Sequence, residues 1–223
     1  MNVLRAAGAE ATGTALLLTV VIGSGIMGER LAGGSVHLAL LSNSLATGFG
    51  LIALIIAFGP RSGAHFNPVV TIALAARGEF PRRAVGAYLV AQFVGAVLGA
   101  FVAHAMFELP VLQVSDHARS GLGQWWSEVV ATFGLVLVIL SCARDRQWAA
   151  PFAVGAYIAA AYWFTASTSF ANPAVTLARA LTNTFTGIRP WDVAPFVAAQ
   201  FGGTALALIA DKATRGGDGN AKS

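Results

Sequence analysis

The chain has 223 residues, of which 56% are hydrophobic and 11% charged, with a mean hydropathy of +0.68. Soluble domains carry about 25% charged residues, so a water-solvated globule is excluded and lipid is the expected solvent. The net charge of +4 comes from scattered basic residues without interleaved aromatics, which argues against nucleic acid as a partner, and the lone Cys142 excludes an intrachain disulfide.

In chain order, six apolar segments reach the roughly 20 residues needed to cross a bilayer. They cover 6–27, 36–58, 84–107, 124–141, 149–167 and 191–210. Arg5 and an apolar run at the start could be taken for a signal peptide. Glu10 interrupts that run, and the rest of the chain is equally apolar, so a retained first span is expected. Between the second and third spans lies "GPRSGAHFNPVVTIALAARGEFPRR", and between the fifth and sixth "STSFANPAVTLARALTNTFTGIRP". Each connector becomes helical and apolar but is too short to span, the pattern of a re-entrant half-helix. Residues 1–211 are expected to form a single domain, and the polar, Gly-rich 212–223 a disordered cytoplasmic tail.

The chain repeats itself, with units at about 5–107 and 124–211. Glu10 in "GAEATGT" matches Glu128 in "WSEVVATF", and "AQFVGA" at 91–96 matches "AQFGGT" at 199–204. "NPVVTIA" from Asn67 matches "NPAVTLA" from Asn172. Each unit holds three spans, an odd number, so the second must insert upside down. The expected architecture is all-α, with six transmembrane helices and two re-entrant half-helices in an inverted repeat, the broken segments meeting near the bilayer midplane. With both termini cytoplasmic, the inner side holds ten basic residues, among them Arg61, Arg77, Arg82 and Arg83. The outer side holds Arg30, Arg119, Arg179 and Arg189, in keeping with the positive-inside rule.

The paired boxes carry the chemistry. A helix that starts inside a membrane leaves N–H groups that lipid cannot satisfy. Asn67 and Asn172 are good N-caps, and Pro68 and Pro173 suit the first helical position. Two inverted half-helices would bring their positive dipole ends together, a place that repels cations and suits a neutral solute with lone pairs. The Asn amides can donate to such a solute, and the field opposes proton hopping along a water file. Val69 and Ala174 complete the two boxes at the pore centre.

With "AEATGT" at 9–14, "SGAHFNPVVT" at 62–71 and "FANPAVT" at 170–176, the chain resembles the major intrinsic protein family, the aquaporins and aquaglyceroporins, over about residues 5–211. The resemblance implies a right-handed bundle of six helices and two half-helices, a pore in each protomer, and a homotetramer in a bacterial-type inner membrane. It also implies that Glu10 and Glu128 are structural supports accepting backbone N–H groups. His65, just ahead of the first box, is expected to line the inner vestibule or to anchor the loop. No nucleophile–base pair, phosphate loop or metal-ligand spacing stands out, so no cofactor, metal or enzymatic activity is expected.

Two departures stand out. Val69 replaces the usual Ala of the first box, and Val175 occupies the place where the family usually has Arg. Arg179 lies one helical turn further on, for which an outer-surface or subunit-contact role is expected. Counting back from the boxes with the family's spacing gives Thr47, Ala160 and Ser169 as the other filter residues. A filter of Thr47, Ala160, Ser169 and Val175 would be wide and uncharged. The Val, in "STSFANPAVTLARAL", resembles a bacterial subgroup associated with arsenic-resistance operons, which implies arsenite, as neutral As(OH)₃, and methylated arsenicals as solutes beside water and glycerol-type polyols.

Three functions remain open at this level. The first is a passive channel for small neutral solutes, with or without an arsenic role. The second is an alternating-access transporter, which also uses inverted repeats and broken helices. The third is a structural membrane protein with a closed pore.

Overall fold

The computed structural model describes residues 2–145 and 147–215. Among them the regular structure is entirely helical: α1 Val3–Leu31, α2 Val36–Ser62, α3 Pro68–Ala76, α4 Val85–Met106, α5 Leu122–Asp145, α6 Ala150–Phe164, α7 Pro173–Arg179 and α8 Pro190–Arg215. Short 3₁₀ turns at Arg82–Ala84 and Gln147–Ala149 lead into α4 and α6. Local chemistry sets the ends. The Asn2 side chain accepts from the Leu4 and Arg5 N–H groups to start α1, and Ser35 accepts from Leu38 to start α2. Gly63 closes α2 in the left-handed conformation, with φ 86°.

Among the described residues, five helices are long and apolar enough to cross a membrane. The fifth expected span, 149–167, is shorter than anticipated, because α6 has only 15 residues. At 1.5 Å per residue that is about 22 Å against a hydrocarbon core of about 30 Å. The helix stops at Phe164 because Thr165 is extended (φ −113°, ψ 139°), and Thr168 and Ser169 then take left-handed φ values of 60° and 51° as the chain turns toward the second box. At the other end, α8 runs on to Arg215, so residues 212–215 are helical rather than part of a tail. The expected disorder of 216–223 lies outside the described residues.

The two repeats pack alike. In the first, α1 lies against α2 and α4; in the second, α5 lies against α6 and α8. The halves join through α2 and α6, and each half-helix also reaches the other repeat, α3 against α8 and α7 against α4. Apolar side chains cover the outside. Val90, Val94, Leu98 and Val102 recur every fourth residue on the exposed face of α4, a stripe that suits lipid. Trp126, Trp148 and Trp191 are exposed close to helix starts, as interfacial anchors are.

The α2–α6 seam depends on close backbone approach. A Cβ on Gly155 would lie 2.6 Å from the Gly48 carbonyl oxygen, and one on Gly48 would lie 2.9 Å from that of Gly155. Small residues at such crossings let membrane helices meet. Gly155→Leu is therefore expected to cost at least about 1–3 kcal/mol, read as a lower melting temperature in detergent. Gly8→Ala, where an added methyl meets nothing within 4 Å, should stay within about 0.5 kcal/mol of the parent. Equal behaviour of the two variants would show that the seam is not close-packed.

Candidate functional site

Each half-helix begins as its sequence implies. The Asn67 side-chain oxygen accepts from the Val69 N–H at 3.1 Å, and that of Asn172 accepts from Ala174 at 2.9 Å and Val175 at 3.3 Å. Pro68 and Pro173 are the first helical residues. The amide nitrogens cross over. Asn67 Nδ2 donates to the Ala171 carbonyl and Asn172 Nδ2 to the Phe66 carbonyl, both at 2.8 Å. The two boxes are thus tied together nose to nose by a reciprocal pair of bonds. One hydrogen of each amide is used in this way, leaving the other for a solute.

The segments leading into the boxes are strained in the same pattern. Ala64 and Phe66 have φ values of 50° and 49°, and their repeat equivalents Ser169 and Ala171 have 51° and 48°. Non-glycine residues rarely adopt this conformation, which costs about 1–3 kcal/mol each and persists only when the surroundings impose it. Two buried carboxylates do so. Glu10 accepts from Ser62 Oγ (2.7 Å), His65 N (3.0 Å), Phe66 N (2.7 Å) and Gln92 Nε2 (2.8 Å). Glu128 accepts from Ser167 Oγ (2.6 Å), Phe170 N (2.9 Å), Ala171 N (2.9 Å) and Gln200 Nε2 (2.7 Å). Both are fully buried. The glutamines continue the network. Gln92 donates to Thr71 Oγ1 and Gln200 to Thr176 Oγ1, and these hydroxyls bond back to the Asn67 and Asn172 carbonyls. Sequence reading found the glutamates. It passed over Gln92 and Gln200 as mere repeat markers, although their matched places in "AQFVGA" and "AQFGGT" were the signal.

A cavity of about 130 Å³ runs past both boxes, room for several waters or a small polyol. Asn67 and Asn172 lie on its wall, with Leu17, Val21, Leu51, Leu135, Ile139 and Val154 supplying apolar sides. The wall is two-fold in pattern: α3 contributes Val70 and Leu74, and α7 contributes their repeat equivalents Val175 and Arg179. His65 is on the wall beside the first box, its Nδ1 3.0 Å from Thr71 Oγ1 and its ring packed against Phe80 and Tyr88. Val69 and Ala174 are buried within the half-helices and Pro68 and Pro173 at their starts, behind the cavity wall.

Of the four residues placed by spacing, the structure brings Thr47, Ser169 and Val175 to the cavity and leaves Ala160 off it. Ala160 is on the exposed side of α6. The wall in this helix is formed by Val154, Ile158 and Tyr162, which are four residues apart and share a face, whereas a residue two places from 158 and from 162 points to the opposite one. The count back from the box fails here because it crosses the irregular turn at 165–171, where residue spacing carries no fixed rotation. Tyr162 takes the place: its hydroxyl is 3.3 Å from Thr47 Oγ1. Arg179 is also corrected. It is not an outer-surface residue; it is 2% exposed and lies on the cavity wall one turn beyond Val175.

Two half-helices capped by paired asparagines, strained lead-ins held by buried carboxylates, and a cavity passing between the halves define a multi-pass membrane protein of the pore-forming inverted-repeat class. The chain belongs to the major intrinsic protein family, whose model matches residues 1–169. It is 54% identical over 200 residues to the aquaglyceroporin AqpS of Rhizobium meliloti (strain 1021), covering 90% of this chain and 85% of that protein. It is 34% identical over 203 residues to the aquaporin NIP2-3 of Zea mays, covering 86% of this chain and 65% of the plant protein. In structure it is similar to the crystallised aquaglyceroporin of Plasmodium falciparum, with a TM-score of 0.72 and 20% identity over 95% of this chain and 96% of that one.

Proposed function

We propose that this protein is a passive channel for small uncharged solutes: water, glycerol-type polyols, and trivalent or methylated arsenicals. The observation that carries this reading is a cavity that passes both Asn-Pro boxes, with apolar sides and polar groups concentrated at the boxes and at one end. Apolar walls do not hold a solute, while spaced donors and acceptors replace part of its hydration, so passage is not arrested at a deep binding site. The likeness to AqpS supports the polyol part of the proposal. The arsenical part rests on the resemblance to the arsenic-resistance subgroup, and chemistry is compatible with it: As(OH)₃ is a neutral triol like glycerol, and Val175 leaves more room than an arginine would.

In this reading Asn67 and Asn172 orient the solute at mid-membrane. Thr47, Tyr162, Ser169 and Val175 form the narrow end, which faces outward if the basic residues set the orientation. His65 lines the inner vestibule, and the assembly is a homotetramer. Reconstituted vesicles should pass water, glycerol and arsenite at rates proportional to the gradient and indifferent to ionophores. Saturable uptake driven by an ion gradient would replace the channel by an alternating-access transporter, and absence of all three fluxes would leave a closed structural protein.

A further inference from the structure

Arg179 is a buried cation with no carboxylate in direct contact among the described residues; the Glu128 carboxylate favours its charge only through space, and the Arg119 cation opposes it. Its Nε donates to the Thr186 carbonyl, and its guanidinium lies over the Phe170 ring, 3.4 Å from the centroid. Among the described residues, neither terminal nitrogen has a protein acceptor within hydrogen-bond distance and no carboxylate pairs with it; the ion pairs found involve Arg77 and Arg189 instead. Arg119, the nearby cation, is different. It spends its donors on the carbonyls of Gly187, Ser167 and Phe185 and does not line the cavity. A buried cation with unused donors is costly unless something else supplies acceptors, and for Arg179 the adjoining space is the cavity itself. A second group there is also unpartnered. Ser169 Oγ is buried, lies on the same wall, and has no hydrogen-bond partner. The repeat sharpens the point, since the equivalent wall position on α3 is Leu74. Arg179 is the one Lys, Arg, Asp or Glu on the described cavity wall, and it breaks the two-fold pattern at one end only.

We propose that Arg179 is the channel's selectivity cation, set one helical turn beyond the valine of the second box, and that with Ser169 it forms a site for the oxygens of neutral solutes. This rests on the channel reading above. The charge excludes cations from that end of the pore, and the two terminal nitrogens donate to water or hydroxyl oxygens as they pass. Because the charge is displaced from Val175, the cross-section at Val175 is freed for larger solutes while electrostatic exclusion is kept. A wide filter and a cation-tight filter are therefore not alternatives in this chain.

The test uses full-length protein in proteoliposomes, with water and glycerol flux followed by light scattering and methylammonium by radiolabel uptake. R179Q should admit methylammonium at least about tenfold faster than the parent, with water flux within about twofold, and R179K should keep the exclusion. Unchanged cation exclusion in R179Q overturns the proposal. So does a loss of all fluxes in R179Q and R179K together, in step with a lower melting temperature. If R179Q does not insert, R179K decides: an ammonium lacks the planar two-donor fork, so a lower glycerol-to-water ratio supports the proposal and an unchanged ratio overturns it. A parent protein that passes neither water nor glycerol would instead remove the channel reading.

Discussion

Glu128→Ala is expected to abolish the folded channel. The Glu128 carboxylate collects four donors, Ser167 Oγ, the Phe170 and Ala171 N–H groups and Gln200 Nε2; all four would lose this partner away from water, with Gln200 Nε2 keeping its bond to Thr176 Oγ1. A hydrogen bond to a charged group contributes about 1.5–3 kcal/mol, and an orphaned buried donor costs about 1–3 kcal/mol. The bonds are not additive, but a loss on the order of 4 kcal/mol or more is a large part of the 5–15 kcal/mol typical of a domain. The loss would fall on the turn that holds Ser169 and Ala171 at positive φ. Glu128→Gln should move stability in the same direction by a smaller amount, because an amide NH₂ would then face N–H donors where an oxygen stood. Thermal unfolding in detergent and water flux in vesicles measure both effects. A Glu128→Ala protein with the parent's melting temperature would show that the carboxylate does not hold the turn. By the repeat, Glu10→Ala should act alike at the first box.

Val175→Arg is expected to cut glycerol and arsenite flux by at least about tenfold while reducing water flux much less. Val175 is 6% exposed and on the cavity wall, so a longer side chain at that place intrudes on the lumen. It would also set a second guanidinium one turn from Arg179, a buried like-charge pair that costs more than an exposed one, so the melting temperature is read beside the fluxes. The expected result is thus chiefly steric, because the charge is already present nearby. Stopped-flow rates for water, glycerol and arsenite on the same vesicles give the comparison, with Val175→Ala as a control expected to keep or raise glycerol flux. Equal selectivity in the parent and Val175→Arg would mean that the narrowest point lies elsewhere.

These two predictions differ in how legible their residues were. Glu128 and Val175 belong to short motifs whose spacing is fixed by one regular element or by the box itself, and in the structure the Glu128 carboxylate accepts from the turn before the second box and Val175 lies on the cavity wall. Ala160 and Arg179 did not follow. The place of residue 160 depends on how far the chain rotates between α6 and the second box, and the positive φ values at Thr168, Ser169 and Ala171 make that rotation irregular. The fate of Arg179 depends on what surrounds α7. A charged residue beyond a half-helix reads as a surface group until Phe170, Thr186 and Arg119 are seen packed about it.

By itself the sequence determined the solvent, the inverted repeat, the two helix starts and the carboxylates that serve them. All of these follow from composition, from local capping and from the requirement that backbone groups in lipid be satisfied within the protein. Only the tertiary structure decided which side chains face the lumen. That choice belongs to helix rotation and to contacts between segments far apart in the chain: Tyr162 against Thr47, Asn67 against Ala171, and Arg179 packed on Phe170 at the cavity wall.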